Sequence, residues 1–347
     1  MPLPQVPLDE TVDFLVGLLN TPSPTGDTEQ AVAYVLEALA ELPLQVARLR
    51  KGGCVLTWSG DETHPRALTA HIDTLGAMVQ RIKPSGRLLL TQIGGYDWHA
   101  VETEGCTIVT RSGERIRGSI LPTKASVHIY GAKARDLKRE AETYEVRLDA
   151  RTGSGDATRD LGIEVGDFVY LDPRVEVTNG FIRSRHLDDK AGVAAIYGAL
   201  LALHQAELNP RYRLDVLISN YEEAGHGGAT GIPPATEELV TVDMAAAGGD
   251  QNSDEFSVGV CAKDSGGPYH LPLRRRLEAL AETHEIPYRA DIYPHYGSDG
   301  EAAWRAGADL AVALVGPGVD ASHSYERTHR DALLATTKLL VAYLLSD

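Results

Sequence analysis

Five short segments place acids and imidazoles at the ends of apolar runs. They are Ala70-His71-Ile72-Asp73-Thr74, His186-Leu187-Asp188-Asp189-Lys190, Tyr221-Glu222-Glu223-Ala224-Gly225, Val242-Asp243-Met244 and Ser322-His323-Ser324. Residues two apart on a strand share a face, so His71 and Asp73 can project into one site. Singly, each segment has an ordinary explanation. A lone histidine is usually a hydrogen-bonded or surface residue, paired aspartates commonly open a helix, and paired glutamates sit in solvated loops. Together they suit a pair of divalent ions such as Zn²⁺, Co²⁺ or Mn²⁺. A carboxylate shared by two ions partly offsets their repulsion and leaves a bridging water acidic enough to act as hydroxide. A nearby glutamate that binds no metal can then carry the proton to a leaving amine. The chemistry this predicts is metal-dependent hydrolysis.

The elements that must position these groups follow from periodicity. Val12, Leu15, Val16 and Leu19 repeat at helical spacing, and Pro22, Pro24 and Gly26 end that run. Asp27 is placed to cap a second helix, with Gln30 at its third position. Val46–Leu49, Val55–Trp58 and Ala67–Ile72 read as strands. Between about Thr74 and Arg185 short β-like runs alternate with turns. The Pro84-Ser85-Gly86 and Arg111-Ser112-Gly113 turns look like hairpin loops, and only a charged stretch near Arg135–Tyr144 hints at a helix. From Lys190 the α/β rhythm returns. Helices are expected at Lys190–Leu208, Leu273–His284 and Arg330–Leu345, and strands at Tyr212–Ser219, Leu239–Val242, Phe256–Ala262, Tyr288–Tyr293 and Leu310–Val315. This predicts an α/β domain with a mixed sheet flanked by helices, formed by 1–74 and 185–347 and interrupted by a small β-rich domain at 75–184.

Composition narrows the function. The 347 residues are 43% hydrophobic and 24% charged, as in an ordinary globular protein, and the length suggests two domains. The net charge of −16 argues against a generic nucleic-acid or anionic-membrane binder. The longest apolar stretch, Ala191–Leu203, falls short of the roughly 20 residues a bilayer requires. No basic region followed by an apolar core opens the chain, so a cytoplasmic location is expected. Cys54, Cys106 and Cys261 lie far apart and read as buried, idle thiols.

In their order, AHIDTLG, HLDDKAG, EEAG, the Val242-Asp243 pair and ASHS resemble the glutamyl aminopeptidase and tetrahedral (TET) aminopeptidase family of dinuclear, zinc-exopeptidase-type metallopeptidases. The resemblance runs from about Leu8 to the last helix. It implies that Asp188 bridges two metals, that His71 and Asp243 complete one site, and that Glu223 and His323 complete the other. It makes Glu222 the general base and Asp73 the group that orients His71. It also implies a cis Asp188–Asp189 peptide bond and two divalent ions, zinc first, with cobalt or manganese as alternatives. The substrate implied is a peptide with a free amine, cut by a bridging hydroxide. The long interval between Asp73 and Asp188 is where this family inserts its β-rich oligomerisation domain, so a homo-oligomer, dimer or dodecamer, is implied.

SRHLDDKAGVAA, GVDASHSYERTH and DQNSDEFSV further resemble the peptidase encoded with synthesis of the osmoprotectant N-acetylglutaminylglutamine amide. Two segments depart from the family pattern. His295-Tyr296-Gly297-Ser298-Asp299-Gly300 replaces the usual Gly-Thr-Asp-Ala segment near the substrate, and Met244-Ala245-Ala246 replaces a Thr-Pro version after Asp243. These departures keep open a metal-dependent amidase acting on an N-blocked amino acid or an osmolyte amide. A non-catalytic scaffold would have no use for the full ligand set, and a two-carboxylate glycan hydrolase has none for His71 and His323. Lys190 and Arg327 read first as ordinary surface charges, and alternatively as cations lining the pocket against the chain's negative field.

Overall fold

Leu214–Ser219, Arg66–His71, Glu238–Val242 and Ala311–Asp320 lie side by side in that order in the computed structural model, which describes residues 2–347. All three contacts between them are parallel. They are buried on both faces, which explains their almost unbroken apolar character. Parallel register aligns their carboxyl ends: Ser219 pairs with His71, and Val242 with Val315. Residues that follow these strands therefore emerge along one edge, where open α/β sheets bind ligands.

Antiparallel strands extend the sheet on both sides. Cys54–Trp58 and Leu44–Arg48 lie at one end, and Glu326–His329, Phe181–Ser184 and Glu176–Thr178 at the other. With three attached strands the sheet reaches twelve among the described residues. The helix Leu187–Gln205 is buried along most of its length and packs against Arg330–Leu345 and Leu8–Leu19. A helix that is apolar all round belongs in such an interior. The mixed sheet with flanking helices and a small β domain is the fold class read from the sequence.

The chain divides into two compact units, one comprising the residues up to Thr74 with Arg174–Asp347, the other Leu75–Pro173. The second is a closed antiparallel barrel of six strands in the order Gly76–Ile82, Leu88–Ile93, Tyr144–Leu148, Arg115–Pro122, Gly105–Val109 and Phe168–Leu171. Ile108, Ile120, Val146 and Val169 fill its core. Its Pro84-Ser85-Gly86 and Arg111-Ser112-Gly113 turns do close hairpins, with Gly86 and Gly113 at positive φ. The charged stretch contains only short helical turns, at Ala132–Arg135 and Ala141–Thr143.

Several local expectations shift. The inserted unit ends at Pro173 rather than 184, because Phe181–Ser184 pairs with Glu326–His329 in the large sheet. The second helix starts at Glu29 behind Thr28 rather than being capped by Asp27, and the Thr28 hydroxyl donates to the Gly52 carbonyl. Gly316-Pro317-Gly318 does not end a strand at Val315. Ala311–Asp320 continues through it, and a Cβ on Gly316 would lie 1.8 Å from the Asp243 carbonyl. Glycine there lets two backbones meet rather than turn. The helix Asp299–Arg305 and the strand Glu326–His329 had no periodic signal, being short.

Gly192 marks a second close approach. A Cβ there would lie 2.3 Å from Asp189 Oδ1 and 2.5 Å from the Val242 carbonyl. Gly192→Ala is therefore expected to lower unfolding stability by about 1–3 kcal/mol, as overpacked interiors do. Gly153→Ala, with nothing within 4 Å, should shift it by no more than about 0.5 kcal/mol. Chemical denaturation of both variants checks this, and equal effects would contradict it.

Candidate metal centre

His71 is the last residue of its strand and is buried. Its Nδ1 lies 2.9 Å from the Asp73 main-chain carbonyl. A carbonyl can only accept, so Nδ1 carries a proton and Nε2 is the nitrogen turned toward the cluster, the one that would ligate a metal on giving up its own proton. Nε2 faces Asp188 Oδ1 at 3.1 Å and Glu222 Oε2 at 3.7 Å. The orienting contact expected of Asp73 is thus made by its main-chain carbonyl, with the carboxylate standing off at 3.8 Å. The carboxylate has other donors: the Thr25 hydroxyl at 2.7 Å and the amides of Glu222 and Glu223 at 3.2 and 3.4 Å. Asp73 therefore holds the loop that carries both glutamates.

Asp188 opens the buried helix, with non-helical dihedrals at Asp188 and Asp189 and a cis peptide between them. Its carboxylate looks two ways. Oδ1 faces His71, and Oδ2 faces His323 Nε2 at 3.4 Å while accepting from the Ser322 hydroxyl at 3.1 Å. His323 Nε2 also lies 3.6 Å from Glu223 Oε2. The ligand atoms of His71, Asp189 and Asp243 fall within 4.8 Å of one another, as do those of His71, Asp188 and Glu223. Asp189, however, accepts from the amides of His71 and Gly192, which ties strand to helix and makes it the poorer ligand.

All seven residues singled out from the sequence, His71, Asp73, Asp188, Glu222, Glu223, Asp243 and His323, thus gather in this cluster or directly support it. The His323 side chain is 37% exposed against 2% for His71, so the cluster opens to solvent on the His323 side.

The electrostatics show too little positive charge for so many acids. Burial raises the Glu223 carboxyl to about 8, with Asp188 adding to the effect, and raises Asp243 to about 7. Burial pushes Glu222 well above its ordinary value, and Asp243, Asp299 and Glu223 push the same way. For Asp188 burial acts upward too, but the two imidazoles reverse it and hold the carboxylate below its usual range. Glu223 Oε1 and Asp243 Oδ1 are buried with no hydrogen-bond partner among the described residues. Orphaned oxygens beside a carboxylate shared between two imidazoles are what a pair of divalent cations would complete, so the donor set fits such a pair.

Other residues around the cluster were given no role by the sequence, Tyr296 and Asp299 falling in a segment marked only as a departure. Buried Glu326 accepts from the amides of Asp188 and His323 at 3.0 and 3.1 Å, but reads in sequence as one more loop acid. The Tyr296 hydroxyl donates to the Met244 carbonyl, and its ring is half-buried near Asp243. In the departing segment, Asp299 accepts from Gly228 at 2.6 Å and from Thr69 at 2.9 Å, so both oxygens are occupied. The two candidate pocket cations are placed elsewhere. Lys190 is fully buried and donates to the Leu18 and Thr21 carbonyls at 3.0 and 2.6 Å, with burial lowering its ammonium to about 7. Arg327 grips Glu255 through two bonds of 2.6 and 2.7 Å. Each is tied into the protein rather than offered to a ligand.

The M42 glutamyl aminopeptidase family matches residues 52–339. YhfE of Bacillus subtilis (strain 168) is 47% identical over 339 residues, covering 97% of this chain and 98% of its own. The TET aminopeptidase from the marine sediment archaeon Thaumarchaeota archaeon SCGC AB-539-E09 shares the fold with a TM-score of 0.87, at 17% identity over 97% of both chains. The TET1 peptidase of Pyrococcus horikoshii, which can assemble into a tetrahedron or a large octahedral shell, reaches 0.84 at 20% identity, covering 97% of this chain and 100% of its own. The chain belongs to the M42 glutamyl aminopeptidase family, whose members are metal-dependent, and is an aminopeptidase, a hydrolase acting on peptides.

Proposed function

We propose that this aminopeptidase works through two divalent ions held by five side chains: Asp188 shared, His71 and Asp243 on one side, Glu223 and His323 on the other. The observation that carries the reading is the carboxylate of Asp188, which turns one oxygen to each imidazole. Zinc suits the mixed nitrogen and oxygen donors, and cobalt and manganese are the alternatives. When bound, the ions supply Lewis acidity, acidifying a water and polarising the scissile carbonyl.

The chain's own groups do the rest. Glu222 lies 3.7 Å from His71 Nε2, and its side chain is 15% exposed, so it borders the cluster while remaining open to substrate. It takes the proton from the attacking water and passes it to the leaving amine. Asp73 keeps Glu222 in place through its backbone amide, and fixes the His71 ring through its carbonyl. A peptide enters from the exposed His323 side with its free amine toward the surplus of carboxylates.

The barrel unit is proposed to mediate assembly into a homo-oligomer, a dimer or a dodecamer, as the fold neighbours' shells suggest. The proposed setting is the cytoplasm, in keeping with three free, buried cysteines. Among the described residues no helix is long and apolar enough to cross a membrane.

Glu222→Gln should lower kcat by about 10²–10⁴-fold, the usual worth of a general base, while metal content measured by mass spectrometry stays at the wild-type value. Near wild-type turnover in this variant would remove Glu222 from the mechanism. The substrate panel pairs free-amine with N-acetylated dipeptides, and release from the blocked members alone would favour the amidase reading. Metal binding should also stabilise the fold, because it relieves the crowded acids. At a hundredfold excess over Kd the expected gain is about 2.7 kcal/mol, seen as a concentration-dependent rise in Tm on adding Zn²⁺, Co²⁺ or Mn²⁺ to stripped protein. A melting curve indifferent to all three would contradict the metal centre.

A further inference from the structure

Three of the five proposed ligands come from irregular backbone rather than from regular strand ends: Glu223, in a turn held by the Asp73 carboxylate, and Asp188 and His323. Asp188 sits in the non-helical opening of its helix, and His323 lies in a loop at φ 63°. One buried side chain reaches both. Glu326 Oε2 accepts from the Asp188 amide at 3.0 Å, and Glu326 Oε1 accepts from the His323 amide at 3.1 Å. Its own backbone is held in the sheet, where Glu326 pairs with Ser184. The carboxylate thus spans the backbones of the two residues whose side chains approach to 3.4 Å.

The other half of the cluster is anchored differently. His71 is fixed by the Asp73 carbonyl and by Asp189, and the Asp243 amide donates to Val315 in the sheet. Asp188 retains a neighbour, Asp189, tied to His71 and Gly192. Glu326 therefore bears on both ends of the Asp188–His323 pair and on neither His71 nor Asp243.

We infer that Glu326 is a positioning residue that clamps Asp188 to His323 and so preforms one metal site of the pair, the one completed by Glu223. This rests on the metal-centre reading above. Because Asp188 is shared but His323 is not, substitution should weaken the ion on the His323 side more than the other. Side chains that orient ligands without touching the metal typically contribute 10- to 100-fold in affinity.

The test is metal binding by the full-length protein, stripped and equilibrated against buffered Zn²⁺ and, separately, Co²⁺, with stoichiometry from mass spectrometry. Glu326→Gln keeps the size but turns an amide donor toward one of the two N–H groups. Glu326→Asp keeps the charge but shortens the reach by one methylene. Both should bind the ion on the His323 side about 10–100-fold more weakly, and the other, which has only Asp188 in common with it, with a smaller loss. Wild-type binding in both variants, equal weakening of both ions, or full recovery by Glu326→Asp would overturn the clamp, the last because charge alone would then suffice. Wild-type protein that binds fewer than two ions, or a His323→Ala variant that loses none, would instead overturn the metal-centre reading beneath it. If neither Glu326 variant folds, hydrogen exchange on metal-free wild type decides. The clamp requires protected Asp188 and His323 amides before metal binds, and exchange at the unprotected rate would overturn it.

Discussion

Asp73, Asp188, Glu222, Glu223, Asp243 and Asp299 crowd the region beyond the carboxyl ends of the parallel strands around two imidazoles. Buried like charges repel strongly where water cannot screen them. The structure answers this in two ways. Some acids receive neutral donors: Asp73 from Thr25 and two amides, and Asp299 from Thr69 and Gly228. Those acids position loops. The others keep oxygens without hydrogen-bond donors or turned toward imidazoles, and on them the proposed chemistry depends. The same residue type thus takes two physical roles, set by whether neutral N–H and O–H donors occupy both of its oxygens.

The rest of the large unit maintains that arrangement. Parallel pairing brings the strand ends to one edge, and the buried helix that starts at Asp188 fixes the residue facing both histidines. Close backbone contact does the fine positioning. Gly192 lets the helix approach Val242, and Gly316 lets a neighbouring strand meet Asp243. Lys190, one turn into the helix, ties it to the carbonyls at the end of Leu8–Leu19. A buried ammonium with only carbonyl partners is an expensive fastening, since desolvation disfavours its charge. Its place beside the Asp188–Asp189 pair relates it to the geometry of the site and not to the surface field.

Family membership and geometry carry different parts of the account. The match over residues 52–339 establishes an M42 aminopeptidase. The solved neighbours, at 17–20% identity, speak to the fold. Which atoms face which is a property of this chain's own side chains. His71 turns Nδ1 to a carbonyl and Nε2 to Asp188, and Glu326 spans two amides.

Much of this is legible in the sequence. Periodicity marks the strands and helices, because an apolar face must be buried whatever it is buried against. The hairpin glycines are legible because positive φ is a local demand. The five chemical segments stand out because acids and histidines at the ends of apolar runs are uncommon together. What the tertiary structure alone decided depends on partners distant in sequence. Pairing with Glu326–His329 assigns Phe181–Ser184 to the large sheet. The Gly316-Pro317-Gly318 run is strand because Asp243 lies against it, and Asp73 orients His71 by its carbonyl because Thr25 and the glutamate amides occupy its carboxylate. Lys190 is a fastening, Arg327 is paired with Glu255, and Glu326 spans Asp188 and His323. A side chain's type is written in the sequence, but which donor or acceptor reaches it first is settled only when the chain has folded.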